Sequence, residues 1–259
     1  MLNKFAIVPA HFILATKEFK PQTALLEETD LEAAWGCLKA WRMIATDGER
    51  IGEESRDEGE GLFAFFNSGA CSGASQPHRH IQLLPVEMMR ECLQSEDGGE
   101  PEWGVLADRL VGEHALDLPF KYFAKPLPQN PTARQLHSLY IELYERACGL
   151  VGEYVTMHPD EDRLLSDGRD GECVISYNLG LTDSAMVLCP RRAEGSFISD
   201  GIAGNLNTGS VSLNGTILAG TLLVKNETEW NILKNDVSQL TKILGAIGIP
   251  SLVSTDEML

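Results

Sequence analysis

Short strand-like runs are scattered along this chain without the strict strand–helix alternation of a parallel α/β sheet, and this restricts the fold more than any other feature. Leu62–Phe66 reads as an aromatic strand and His78–Val86 as another, with the small-residue run Asn67–Gln76 between them. Lys4–Pro9 and His11–Lys17 read as two shorter strands broken at Pro9-Ala10, and Leu118–Leu127 as a further one. Cys173–Thr182, Ala185–Arg191, Ser210–Thr216 and Thr221–Lys225 complete the strand candidates. Helical spacing appears in three places: Leu31, Trp35, Leu38 and Trp41; Leu136, Leu139, Leu143 and Ala147; Val237, Leu240, Ile243 and Leu244. Capping boxes, Thr29-x-x-Glu32 and Thr132-x-x-Gln135, open the first two of these helices. Glu87–Gln94 reads as a short helix, and Asp47–Gly61, Ser95–Glu102 and Asp160–Glu172 as charged loops. The pattern predicts an α+β fold of mostly antiparallel sheet flanked by helices. Pro126, Pro128 and Pro131 mark the best boundary, dividing the chain into halves 1–127 and 128–259.

Composition removes several function classes. The chain has 259 residues, with 21 Lys+Arg against 38 Asp+Glu and a formal net charge of −17. Gripping nucleic acid over a broad face needs a basic stripe, and an anionic membrane surface attracts polybasic segments, so neither partner is expected. The longest uncharged stretch, Gly201 to Val224, is rich in Gly and Asn and does not read as a membrane span. Six cysteines are spread without a CxxC pair, which points to free thiols in a reducing compartment. A cytoplasmic location is expected, with the nucleus as a second.

Chemistry concentrates in NSGACSGASQPHRHIQ, residues 67–82. On a strand, side chains alternate, so His78, His80, Gln82 and Leu84 share one face while Arg79, Ile81 and Leu83 share the other. The small residues just before them let backbone N–H groups approach an anion closely. Such donors beside a pair of imidazoles suit attack on phosphorus, because imidazole is neutral and nucleophilic near physiological pH. A metal site is the competing reading, since His-x-His projects both rings together, with His114 or His137 as a further ligand.

The same segment resembles the active-site signature of the histidine-triad superfamily. Within it, the chain is similar to the branch of galactose-1-phosphate uridylyltransferases and, more closely, to fungal diadenosine tetraphosphate phosphorylases (ATP adenylyltransferases). FAFFNSG and SGASQPHRHIQ, NKFAIVPAHFILATKEFK near the start, and SYNLGLT, LCPRRAEG and SLNGTILAGTLLVK near the end carry the likeness, in order along nearly the whole chain. The resemblance implies a histidine-triad-like fold of two related halves packed together, the first half catalytic. It also implies phosphorolysis of diadenosine tetraphosphate to ATP and ADP through an adenylyl-histidine, with phosphate as the second substrate.

Residue by residue, the resemblance makes His80 the nucleophile, has His78 organise the site, and sets Gln82 against the α-phosphate where triad hydrolases carry a third His. Gln cannot act as a base towards water, which favours transfer to phosphate. Asn67, Gly73, Ala74, Ser75 and Gln76 are expected to cradle phosphates, Asn3 and Lys4 to contact the nucleotide, and Asn214, Thr221 and Lys225 to match the family's NGT…GT…K pattern. Arg79 stands where uridylyltransferases have Pro, and with no CxxC pair no structural zinc is implied. Magnesium is expected to accompany the polyphosphate, and a monomer is expected. Family members carry a substantial segment before the NK strand, so the first strands are expected to be missing. A truncated nucleotide-binding paralogue with little turnover and a dinucleoside polyphosphate hydrolase are the alternatives.

Overall fold

A computed structural model describes residues 1–48, 61–91, 103–112, 115–199 and 209–251. Six strands form one sheet in the order β1-β3-β2-β5-β6-β4, every pairing antiparallel: β1 (Phe12–Ala15), β2 (Leu62–Ser68), β3 (His80–Pro85), β4 (Phe123–Pro126), β5 (Tyr177–Leu181) and β6 (Ala185–Pro190). A two-stranded ribbon, β7 (Gly195–Ile198) with β8 (Gly209–Ser212), completes the strands. The helices are α1 (Glu28–Gly48), α2 (Val86–Glu91), α3 (Ala133–Met157), α4 (Glu227–Asn235) and α5 (Val237–Ile247). The expected α+β class with a mostly antiparallel sheet is what forms.

The aromatic run explains the layering. β2 is buried along its whole length, so both its faces need apolar cover. Leu62, Ala64 and Phe66 pack with Leu31 and Trp35 of α1 and Leu136 and Tyr140 of α3. Phe63 and Phe65 pack on the other face with Leu84, Ile217, Leu218 and Ile243. α3 carries the expected capping box: Thr132 Oγ1 accepts from the Gln135 backbone N–H at 3.2 Å, and Gln135 Oε1 accepts from the Thr132 N–H at 2.9 Å.

Several boundaries differ from expectation. α1 starts at Glu28, so Thr29 is inside its first turn, and Asp30 accepts from the Glu27 N–H at 2.9 Å instead. Lys4–Pro9 is a turn. Ala10 takes a positive φ of 56°, and the chain doubles back so that the Asn3 N–H reaches the His11 carbonyl at 2.9 Å. Thr221–Lys225 is irregular, because Gly220 ends a 3-10 turn with φ 78° and the chain runs straight to Asn226, the cap of α4. The β8 candidate ends at Ser212, after which Asn214 caps the 3-10 turn Gly215–Ala219. Asp160–Glu172 contains two 3-10 turns, Pro159–Leu164 and Arg169–Gly171. The loops at 49–60 and 95–102 lie outside the described residues.

Arg79 faces α1, opposite to the His80 side, as period-two alternation requires. It is 3% exposed, and its Nη1 bonds Asp30 Oδ2 at 2.8 Å and Glu27 Oε1 at 3.1 Å. Lys20 and Arg79 together hold the Glu27 carboxyl below its usual range, the Lys20 hydrogen bond being the larger cause. Arg79→Ala strands the nearly buried Asp30 carboxylate, and a loss of about 3 kcal/mol in urea-unfolding free energy is expected. A change within experimental error would show that this pair does not fasten β3 to α1.

Candidate active site

His80 begins β3 and is 8% exposed. Its Nδ1 lies 2.8 Å from the His78 carbonyl oxygen, which can only accept, so Nδ1 carries the proton. The lone pair is then on Nε2, which has no hydrogen-bond partner among the described residues. This is the tautomer and the free nitrogen that nucleophilic attack requires. Gln22, buried before α1, accepts the His80 backbone N–H at 2.8 Å and donates to the Asn67 carbonyl at 2.8 Å and to the His80 carbonyl at 3.2 Å. One amide thereby sets the position of His80 against the end of β2.

His78 does a different job. Its Nε2 is 2.9 Å from Thr16 Oγ1 and 3.2 Å from the Glu18 carbonyl, and its ring lies 5.5 Å from that of Phe19. The ring is fastened to the segment after β1, and its backbone carbonyl orients His80. The metal alternative needs both rings for one ion. The two imidazoles are engaged in unlike ways, His137 Nε2 bonds the Leu26 carbonyl at 3.1 Å, and His114 lies outside the described residues. Among the described residues no group of three or more His, Cys, Asp or Glu side chains could hold a metal ion.

The residues expected to cradle phosphates lie at the end of β2 and in the turn after it, and residues of the second half hold them there. Asn67 sits at the end of β2, and its Oδ1 accepts from Asn178 Nδ2 at 2.8 Å and from the Gly215 N–H at 2.9 Å. That oxygen is saturated, which leaves the Asn67 –NH2 as the end able to serve an anion. Asn178 Nδ2 also donates to the Ser72 carbonyl at 2.8 Å, pinning the small-residue turn. Gly73 has a φ of +75°, and a Cβ there would lie 2.7 Å from the Leu213 carbonyl oxygen and 2.9 Å from Asn214 Cβ. Only glycine permits that backbone shape and that approach to Asn214. Ala74, Ser75 and Gln76 are exposed at the end of the same turn.

Other expected contacts are not drawn in. Thr221 donates to the Thr216 carbonyl at 3.3 Å, behind the turn that Asn214 caps. Lys225 is exposed, with Nζ 3.3 Å from the Ser210 carbonyl. Lys4 is also exposed, lying 5.4 Å over the Phe5 ring. Among the described residues no recorded contact joins Lys4 or Lys225 to His80. Asn3, by contrast, is tied inward: its backbone N–H donates to the His11 carbonyl at 2.9 Å and its side chain lies against the His11 ring, whose Nε2 is 3.1 Å from Gln82 Oε1.

Four residues absent from the sequence-based site therefore build it: His11, Gln22, Asn178 and Arg191. Arg191 is 2% exposed and spends its guanidinium on Asn178 Oδ1 and on the carbonyls of Ala193, Glu194 and Leu213 at 3.0 Å and Ile247 at 3.3 Å. Burial works against its charge and lowers its pKa. Asn178 alone gave a usable signal, as a lone amide within the otherwise apolar strand Tyr177–Leu181.

A two-sided antiparallel sheet that presents an oriented histidine beside a glycine-containing turn makes a candidate site for nucleophilic chemistry on an anionic ligand. Comparison with known proteins makes this particular. The ATP adenylyltransferase C-terminal domain model matches residues 116–250, and the Ap4A phosphorylase N-terminal domain model matches 1–48 and 55–95, so the chain belongs to the Ap4A phosphorylase (ATP adenylyltransferase) family. A Saccharomyces cerevisiae protein named diadenosine tetraphosphate phosphorylase 2 is 27% identical over 259 residues, covering 97% of this chain and 69% of its own. The crystal structure of yeast Ap4A phosphorylase Apa2 superposes with a TM-score of 0.66 at 24% identity, over 98% of this chain and 72% of that one. The complex of Apa2 with Ap4A gives a TM-score of 0.64 at 25% identity, over 96% and 73%.

Proposed function

We propose that this chain is a nucleotidyltransferase that cleaves diadenosine tetraphosphate with phosphate, giving ATP and ADP. The observation that carries this reading is the His80–His78 hydrogen bond, which in the neutral ring places the lone pair on Nε2. Nε2 attacks the α-phosphorus of one adenylyl end, the N–P bond forms as the P–O bond to the polyphosphate breaks, and ATP leaves. Phosphate then attacks the same phosphorus from the other side, ADP forms, and His80 recovers its lone pair. The leaving polyphosphate is a weak base and needs no proton from the protein. The –NH2 groups of Asn67 and Gln82 and the backbone donors of the 73–76 turn stabilise charge growing on the non-bridging oxygens.

Water attacking the same intermediate would need a general base, and the amide of Gln82 cannot be one. Phosphate brings its own negative charge and needs none. The described donor set does not fit a resident metal, so magnesium enters on the polyphosphate. In this scheme residues 1–127 carry the nucleophile, and 128–259 supply Asn178 and the Asn214–Gly215 turn that hold Asn67 and Gly73 in place. No helix among the described residues is long and apolar enough to cross a membrane, and the reducing compartment indicated by the cysteines is taken to be the cytoplasm. The relative named as a phosphorylase and the Apa2 complex with Ap4A support the substrate.

Product analysis with labelled inorganic phosphate tests the reading. Label should appear in ADP and not in ATP, with turnover dependent on phosphate. Phosphate-independent release of AMP and ATP would instead identify a hydrolase, and nucleotide binding without turnover would identify a non-catalytic paralogue.

A further inference from the structure

His11 is used by no step above, yet it is 2% exposed and touches two residues of the proposed site. It ends the turn that leads into β1. The Ile7 backbone N–H points to its Nδ1 at 3.4 Å, so Nδ1 is the accepting nitrogen and the ring proton is on Nε2. Nε2–H then donates to Gln82 Oε1 at 3.1 Å. Burial favours the neutral ring over the imidazolium, which keeps this arrangement of one acceptor and one donor.

The consequence concerns which end of the Gln82 amide faces the substrate. A primary amide has an accepting oxygen and a donating –NH2, and the two orientations present opposite dipoles to an anion. With Oε1 held by His11, the –NH2 is the end left for a phosphoryl oxygen. With the amide turned over, Oε1 would stand against negatively charged oxygens and oppose the attack by His80. The same imidazole lies against Asn3, whose Nδ2 is 3.2 Å from Nε2 and 3.4 Å from Nδ1 and whose N–H donates to the His11 carbonyl at 2.9 Å. The residue expected to contact the nucleotide and the residue expected to contact the α-phosphate thus lean on one ring.

We infer that His11 is a positioning residue that fixes the amide of Gln82 with its –NH2 towards the α-phosphate; this rests on the adenylyl-transfer reading. Asn at position 11 retains an acceptor for the Ile7 N–H but is too short to reach Gln82, whereas Gln places a donor near the position of Nε2. Phosphorolysis of diadenosine tetraphosphate is measured for His11→Asn, His11→Gln, Gln82→Ala and the double variant His11→Asn/Gln82→Ala, each first checked for a cooperative unfolding transition.

Gln82→Ala is expected to lower kcat by about 10²-fold, the usual effect of losing one such donor. His11→Asn is expected to lower it by about 10-fold or more, with KM for the dinucleotide little changed. His11→Gln should recover most of that loss. In the double variant, kcat should be no lower than in Gln82→Ala alone, since an orienting residue has nothing left to orient. Multiplying losses in the double variant would overturn the inference even if Gln82 matters. No loss in Gln82→Ala would instead remove Gln82 from the site. If both position-11 variants fail to fold, Gln82→Glu decides: it keeps an oxygen for His11 but has no –NH2, and must be as slow as Gln82→Ala. Activity near wild type in Gln82→Glu overturns the proposal.

Discussion

Phosphorolysis is expected to fall by about 10⁴-fold or more when His80 is replaced by Ala, as when other covalent nucleophiles are removed. The size follows from the two-step route. Without Nε2 the acceptor phosphate must displace ATP directly, bringing two anions together, and the donors around the α-phosphate cannot replace a covalent bond. Among the described residues the ring makes one hydrogen bond, to the His78 carbonyl, so unfolding free energy should change by only about 1 kcal/mol. Dinucleotide binding should also survive, because the residues proposed to contact it are elsewhere. Calorimetric titration and urea unfolding of the variant check both. A His80→Ala enzyme within 10-fold of wild type would leave the mechanism without its nucleophile.

Arg191→Met is expected to have the largest effect on stability. The guanidinium serves five acceptors and, among the described residues, no carboxylate. Met replaces the volume but takes the donor from Asn178 Oδ1 and from the Leu213 and Ala193 carbonyls, each costing about 1–3 kcal/mol, while the Glu194 and Ile247 carbonyls keep the N–H groups of Leu213 and Arg192. Some of that is offset, because the variant no longer buries a charge. A net loss of about 3–5 kcal/mol is expected in urea unfolding, a large share of a typical domain's stability. Arg191→Lys should recover less than half, since an ammonium cannot reproduce the planar fork. Activity of the folded fraction should fall as well, because Asn178 holds both Asn67 and Ser72. A variant as stable as wild type would show that these carbonyls find other donors.

What could be read from the sequence, and what could not, divides by distance along the chain. The faces of β3 follow from alternation alone: Ile81 and Leu83 join the α1–α3 side of the core, and Leu84 the other. The cap of α3 is equally local. The site's supporting bonds are not, for His11 and Gln82 are 71 residues apart, Gln22 and His80 are 58 apart, and Asn67 and Gly215 are 148 apart. No periodicity reports such pairs. Arg79 shows the same limit. Alternation places it on the face opposite His80, but its partners there, Glu27 and Asp30, are 52 and 49 residues away in the chain. The strand candidates at Lys4–Pro9 and Thr221–Lys225 failed because a positive φ at Ala10 and at Gly220 turns the chain at or beside each segment.

The central claim is that His80 becomes covalently adenylylated. Incubating the chain with adenine-labelled diadenosine tetraphosphate in the absence of phosphate, then mapping the label by peptide mass spectrometry, tests it most directly. The expected result is one acid-labile, base-stable adenylyl group on His80, discharged as ADP when phosphate is added and absent from His80→Ala. An active wild-type enzyme that never acquires the label, or a His80→Ala protein that acquires it equally, would contradict the account.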